Sequence, residues 1–152
     1  MLARGRCQLG WALAEQGHLA RGIELIRNGT TAIRATGALT QFPFYLSVLA
    51  GAYLDNGELR QAAAMLNEGL SVATEARTLF FPEVLRTKGK LLFLQDPDHP
   101  EGAQACFQQA VTAAREQGAK SLELRAATSL AGLWHDQGKH TEARALLAPI
   151  YG

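Results

Sequence analysis

The sequence has 152 residues, of which 47% are apolar, 15 are basic, 14 are acidic and two are cysteine. A net charge of +1 provides no concentrated basic surface, which excludes nucleic acid and an anionic membrane surface as partners. Two cysteines are too few for a disulfide scaffold, and no apolar run reaches the roughly 20 residues of a membrane helix. With no signal peptide evident, we expect a soluble cytoplasmic protein. The 26 Ala and 23 Leu, against four Val and four Ile, favour helix over sheet.

Three segments that end in glycine share one pattern along the chain. They are LGWALAEQGHL, LAGAYLDNGEL and LAGLWHDQGKH, with the glycines at 17, 57 and 138. A small residue follows each glycine five positions later, and a large apolar residue comes four positions after that. A fourth copy in the middle of the chain lacks the glycine. The four small residues are spaced by 40, 41 and 40 positions, at Gly22, Ala62, Ala103 and Ala143. Such a period indicates a repeat architecture.

Each unit is predicted to contain two antiparallel amphipathic helices. First helices are predicted over 2–16, 42–56, 81–95 and 120–137, and second helices over 19–36, 58–77, 100–117 and 139–150. We expect first and second helices to cross closely at the small residues Gly10, Ala50, Gly89 and Ala131. The segment DPDHP, 96–100, is predicted to be a loop in which Asp98 or His99 caps the next helix. We expect one all-α domain over 1–152, with repeats at about 1–40, 41–79, 80–119 and 120–152.

The last and second units carry a leucine and a small residue, then an aromatic, a glycine, an alanine and a large apolar residue. In the last unit these are Leu130, Ala131, Trp134, Gly138, Ala143 and Leu147; in the second they are Leu49, Ala50, Tyr53, Gly57, Ala62 and Leu66. This pattern resembles the tetratricopeptide repeat (TPR), which implies a right-handed α-solenoid of about four helix–turn–helix repeats and eight helices. The first unit departs from it at Leu13 and Gly22. The period also exceeds the usual 34 residues.

The last third of the chain is especially similar to the C-terminal TPR region of bacterial adenylate or guanylate cyclase-like proteins and ATPase-type transcriptional regulators. In those proteins the repeats follow an ATPase core and sometimes a cyclase domain. We therefore expect either a fragment of a larger protein or a standalone copy.

No motif predicts catalysis, a cofactor or a metal ion. The nearest approach to a phosphate-binding loop, Gly132 to His140, ends a helix instead of beginning one. Two groups with metal-ligand chemistry are interpreted as solvated helix ends and turns: His135, Asp136, His140 and Glu142, and Asp96, Asp98 and His99. Cys106 is predicted to be a core thiol and Cys7 to be partly exposed. We expect a protein that is not an enzyme.

A stacked array of helix pairs presents its first helices along a concave groove. The predicted groove residues are Arg4, Trp11, Phe44, Ser47, Arg86, Lys90, Phe93, Arg125, Thr128 and His135, with Cys7, Gly51, Glu83 and Gly132 beside them. Aromatic and arginine side chains suit a protein or peptide partner, although each residue could instead face solvent or a neighbouring helix. We expect a protein–protein or interdomain interaction module of a bacterial signalling protein. The alternative is a module that senses a small-molecule effector and regulates an absent ATPase or cyclase core.

The predicted last helix is short and apolar. It carries Leu146, Leu147, Ile150 and Tyr151, with no following sequence to cover them. Exposed apolar ends favour association, so we expect a homodimer formed through the C-terminal end or docking onto a missing domain.

Overall fold

A computed structural model describes residues 2–37, 40–76 and 79–151. The described chain forms eight helices and no strand. The helices are α1 (Leu2–Glu15), α2 (Leu19–Thr36), α3 (Phe42–Asp55), α4 (Leu59–Ala76), α5 (Phe81–Gln95), α6 (Glu101–Gln117), α7 (Lys120–Asp136) and α8 (His140–Tyr151). The predicted helices are confirmed, with boundaries that differ by at most one residue. In this part of the chain, no helix is long and apolar enough to cross a membrane.

The chain divides into two compact units, Met1–Phe80 and Phe81–Gly152. Unit 1 contains the hairpins α1–α2 and α3–α4, and unit 2 contains α5–α6 and α7–α8. Within unit 1, α2 packs on α3 and the first helices α1 and α3 also contact each other. Unit 2 repeats this arrangement, with α6 on α7 and α5 against α7. A single domain over 1–152 stays a prediction.

The three predicted helix-ending glycines adopt the left-handed conformation, with φ of +92° at Gly17, +77° at Gly57 and +79° at Gly138. In each turn the backbone amide of the residue after the glycine donates to the carbonyl of the residue four positions before the glycine, at 2.8–2.9 Å. This pattern satisfies carbonyls at the end of the helix, and glycine allows it without a Cβ penalty. The three turns are therefore structurally equivalent, as their spacing predicts.

The small residues lie where the two helices of each hairpin cross. Ala62, Ala103 and Ala143 are all buried, and so are Ala50 and Ala131 on the first helices. In the first hairpin both contacting positions are glycines, and a Cβ added at Gly22 would lie 2.6 Å from the carbonyl oxygen of Gly10. The departure from alanine at Gly22 therefore has a physical cause, since α1 and α2 approach too closely for any side chain there.

Each unit has its own apolar interior. Unit 1 buries Ile26, Phe42, Leu46, Leu49 and Leu66 almost completely. A cluster in unit 2 joins Ala103, Phe107, Leu130 and Leu133, with Leu92, Phe93, Trp134 and Leu146 packed against it. Most of these side chains occupy the positions that the repeat pattern assigns to the core.

The segment 96–100 is a loop, as predicted, but the predicted cap is wrong. Pro100 occupies the position before α6, and no side chain caps the helix. The Asp96 carboxylate instead lies 3.0 Å from Nδ1 of His99, so these polar groups are used within the turn. Proline has no side-chain acceptor for the first amides of α6, so the helix begins without a side-chain cap.

Candidate functional site

The predicted groove residues lie on neighbouring first helices within each unit. In unit 1 they come from α1 and α3, and in unit 2 from α5 and α7, and both helix pairs are in contact. The two sets differ in chemistry, because unit 1 contributes the aromatic rings of Trp11 and Phe44, whereas unit 2 contributes the charged groups of Arg86, Lys90 and Arg125.

The unit 1 face is an aromatic cluster centred on Phe44. Its ring meets Trp11 edge-on, with centroids 5.9 Å apart, and Tyr45 at 5.6 Å. Phe80, which the sequence analysis did not assign to this face, lies 5.1 Å from Phe44. Trp11 and Phe44 are half-buried, and the Trp11 indole nitrogen donates to Glu15 at 3.3 Å. Such rings offer apolar area at low cost in conformational entropy.

Other predicted residues of unit 1 have different surroundings. Arg4 is exposed. Burial and the neighbouring Cys7 thiol raise the pKa of Tyr45, and the charge of Arg4 partly offsets this effect. Ser47 is buried and donates to the Phe44 carbonyl at 2.7 Å, so its hydroxyl is occupied within α3. Gly51 faces open space.

The expectation that Cys7 is partly exposed is wrong. Cys7 is 1% exposed, and its thiol donates to the carbonyl of Ile26 at 3.8 Å. A Cβ at Gly29 would collide with the Cys7 sulfur, which shows how tightly α1 and α2 enclose it. Burial raises the pKa of Cys7 to about 11. Cys106 is also a free buried thiol, as predicted, and burial raises its pKa.

The unit 2 face is built on a buried carboxylate. Glu83 on α5 accepts hydrogen bonds from Nη2 and Nε of Arg86, at 2.6 and 3.1 Å. Arg125 on α7 donates to the same carboxylate, with Nη2 at 2.9 Å and Nε at 3.2 Å from Oε1. The third nitrogen of Arg86 donates to Ser129 at 3.4 Å. We call Glu83, Arg86, Arg125 and Ser129 the α5–α7 charge cluster.

The cluster carries one more positive charge than negative. Burial alone would raise the pKa of Glu83, but the hydrogen bonds and charges of Arg86 and Arg125 outweigh it and hold that pKa below its ordinary value. The side chains of Glu83 and Arg86 are 4% and 11% exposed, whereas Arg125 remains 45% exposed. The excess positive charge therefore reaches solvent at Arg125.

The remaining predicted residues of unit 2 do not form one continuous site. Lys90 is exposed, and Phe93 packs on the apolar cluster of unit 2. Thr128 is exposed and donates to the Leu124 carbonyl at 2.7 Å. His135 is exposed and meets the ring of His140 edge-on, with centroids 4.4 Å apart. These two histidines are the ones expected at helix ends.

Sequence reasoning placed Glu83 beside the groove but not at the centre of a charge cluster. Ser129 and Phe80 were missed, although Ser129 follows the predicted groove residue Thr128 and Phe80 precedes the helix predicted to begin at position 81. The available signal for Glu83 was its i, i+3 spacing to Arg86 on a predicted helix. Across the described residues, no group of three His, Cys, Asp or Glu side chains could hold a metal ion.

Solved structures with this arrangement of helices include two crystal structures of nearly identical TPR-like repeats. Both come from a Podospora anserina protein provisionally named a kinesin light chain. The first superposes with a TM-score of 0.67 at 19% identity, over 97% of this chain and 72% of that one. The second, a point variant, gives 0.66 at 18% identity over the same shares. The fold is TPR-like.

No family model matches the sequence. A curated relative, an uncharacterised protein of Rhizobium meliloti (strain 1021), is 28% identical over 121 residues. The match covers 80% of this chain and 12% of the relative, so it spans about an eighth of the relative's length.

Proposed function

We propose that the chain is a non-catalytic interaction module that binds a protein or peptide segment along the exposed faces of its first helices. The TPR-like fold supports this function, because stacked helix pairs present extended surfaces suited to chain-like partners. The observation that carries the proposal is the α5–α7 charge cluster, in which two arginines share one buried carboxylate.

The charge of this cluster selects the chemistry of the partner. Glu83 neutralises one of the two guanidinium groups, and Arg86 is almost fully enclosed. Arg125 stays half-exposed, with its charge available to a carboxylate that approaches from solvent. We therefore assign a segment that contains Asp or Glu side chains to the unit 2 face.

The unit 1 face supplies the complementary chemistry. Trp11 and Phe44 are half-buried, so each presents part of a ring to solvent while the rest is fixed by packing. Fixed aromatic rings are frequent among the residues that dominate binding energy. An apolar side chain of a partner would be stabilised there.

A library of displayed random peptides tests the proposal. Peptides selected on the intact chain should be enriched in Asp and Glu, and Arg125→Ala should weaken their binding about tenfold by fluorescence anisotropy. Arg144→Ala, which removes an exposed arginine from α8, should leave binding unchanged. Selection of peptides without acidic enrichment, or equal losses in the two variants, would contradict the proposed role of the cluster.

We further propose that this module acts in the cytoplasm as part of a larger bacterial signalling or regulatory protein. The Rhizobium meliloti relative supports a place in a larger bacterial protein, because the matched region is a small part of a much longer chain. A module that senses a small-molecule effector and regulates an ATPase or cyclase core is the second candidate, which rests on the resemblance of the last third of the sequence. A thermal-shift screen of metabolites would favour it if one compound raised the Tm.

Self-association through the C-terminal end stays a prediction. Leu146 packs against the apolar cluster of unit 2, whereas Leu147 and Ile150 are half-buried on α8. The side chain of Tyr151 lies outside the described residues. A strict monomer by light scattering at high micromolar concentration would count against a homodimer.

A further inference from the structure

The outward side of α1 exposes two large apolar residues. Leu2 is 79% exposed and Leu9 is 55% exposed, and they lie seven residues apart, on one side of the helix. Arg6 lies between them and is also exposed. We call Leu2, Arg6 and Leu9 the α1 outer face.

The repeat alignment shows that the same positions are buried elsewhere. Aligning the glycine turns places Leu2, Arg6 and Leu9 over Phe42, Leu46 and Leu49 of α3, none of them more than 1% exposed. On α7 the equivalent positions are Glu123, Ala127 and Leu130, and all three are buried. Of these three first helices, α1 alone exposes all three positions.

A second helix covers these positions in both cases. α2 packs on α3, where the guanidinium of Arg34 lies 5.3 Å from the centroid of the Phe42 ring. α6 packs on α7, where Arg115 donates to Glu123 at 2.6 Å. Both arginines lie twelve residues after the small residue of their helix, Gly22 or Ala103. The two interfaces therefore share one register, which predicts what would cover α1.

We propose that the α1 outer face is a docking surface for one amphipathic α-helix, the second helix of a further TPR-like repeat. This helix would lie on α1 as α2 lies on α3, with apolar side chains over Leu2 and Leu9. Because Arg6 stands where α3 has Leu46 and α7 has Ala127, the helix needs an acidic side chain opposite it to compensate the buried charge. This inference is independent of the proposed groove.

A fusion tests the docking surface with a helix that the chain already contains. A copy of 100–122, which is α6 with its connection and the start of α7, is joined to Leu2 in place of Met1. Arg115→Leu in the copy places an apolar side chain over Leu2, because Arg115 contacts the equivalent residue Glu123 on α7. Arg6→Ala on α1 removes the charge that this copy does not compensate and matches Ala127 on α7. Leu2 then stands where Glu123 follows α6. The Tm should rise, and the amides of the copied helix should be protected from hydrogen exchange.

Leu9→Asp supplies the discriminating variant. In the natural chain it should change the Tm by less than about 2 °C, since Leu9 is exposed. In the fusion it should lower the Tm by about 4 °C or more and abolish protection of the copied helix. Gln8→Asp, at the adjacent exposed residue, should have little effect in the fusion.

Three results would overturn the assignment. The first is free hydrogen exchange of the amides of the copied helix, and the second is an equally small effect of Leu9→Asp on the Tm of both proteins. The third is a dimer of the natural chain in sedimentation velocity that Leu9→Asp converts to monomer, because the face would then take a second copy of this chain.

Discussion

Within each unit the two first helices are connected through different chemistry. In unit 1 the connection between α1 and α3 includes an edge-on contact between Trp11 and Phe44. In unit 2 the connection between α5 and α7 includes the shared carboxylate of Glu83. Small residues at the hairpin crossings set the backbone spacing in both units, so the first-helix faces are free to differ. The repeat fixes where a face lies but not what it binds.

This difference between the two units also predicts that substitutions in the α5–α7 charge cluster destabilise the protein more than substitutions in the aromatic contacts of unit 1. A buried ion pair depends on all its partners, because removal of one leaves an uncompensated buried charge. Replacing a half-buried aromatic side chain should cost less stability, since another apolar side chain can fill part of the same buried area.

Glu83→Gln should give the largest effect, a destabilisation of about 3 kcal/mol at neutral pH, because it leaves Arg86 buried without a counter-charge. Urea unfolding followed by the fluorescence of Trp134, in a Trp11→Phe background, would report on unit 2. The control is Glu68→Gln in unit 1, followed by Trp11 fluorescence in a Trp134→Phe background. It breaks a more exposed pair with Arg34 and should cost less than about 1 kcal/mol. Equal costs would remove the distinction between buried and exposed pairs.

Acid should reduce the difference between wild type and Glu83→Gln. The pKa of Glu83 is lowered in the folded state, so its contribution is complete above the unfolded pKa of about 4.3 and is lost as the pH falls through the folded value. Unfolding free energies measured from neutral pH downward should therefore begin to converge below about pH 4.3 and should become equal only below the folded pKa. A difference that persists at low pH would show that the charge of Glu83 is not what stabilises the cluster.

Gly22→Ala should destabilise unit 1 by about 2 kcal/mol, because the added Cβ would lie 2.6 Å from the Gly10 carbonyl oxygen. Gly5→Ala is the matched control on α1, since a Cβ there meets nothing within 4 Å. This control should stabilise by about 0.5–1 kcal/mol through helix propensity. Thermal unfolding followed by Trp11 fluorescence would compare the two variants, and a stabilising Gly22→Ala would disprove the close crossing.

Phe44→Leu should have the smallest effect, a loss of about 1 kcal/mol, because it keeps apolar volume but removes ring contacts with Trp11, Tyr45 and Phe80. Phe44→Tyr keeps the ring and should be close to neutral. The emission maximum of Trp11 and urea unfolding would test both variants. Indistinguishable results would show that edge contacts do not hold the unit 1 face together.

The sequence was sufficient to predict the helices because the relevant signals are local. Gly57 and Gly138 end helices through their own backbone conformation, and Ala62 and Ala103 mark crossings through their size. These signals recur at one period, so each copy supports the others. The predicted cap of α6 was wrong because Pro100, which has no side-chain acceptor, occupies the position before the helix.

The faces were less predictable because they depend on contacts between distant residues. Cys7 is buried because Gly29 lets α2 approach its side chain closely, and the helical spacing of residues on α1 alone does not reveal this burial. Likewise the position of Glu83 between two arginines requires α5 and α7 to be in contact, with residues 42 positions apart. Spacing within one helix predicts which side a residue occupies but not which distant group it meets.

The glycine crossing of the first hairpin also has an evolutionary consequence. At Gly10, Gly22 and Gly29 every substitution adds volume where a Cβ would already collide, so mutation there can only open the hairpin. Positions such as Ala50 and Ala62 in the second hairpin can still lose a methyl group without a clash. The first hairpin should therefore tolerate less sequence drift at its crossing than the second, although both follow one repeat pattern.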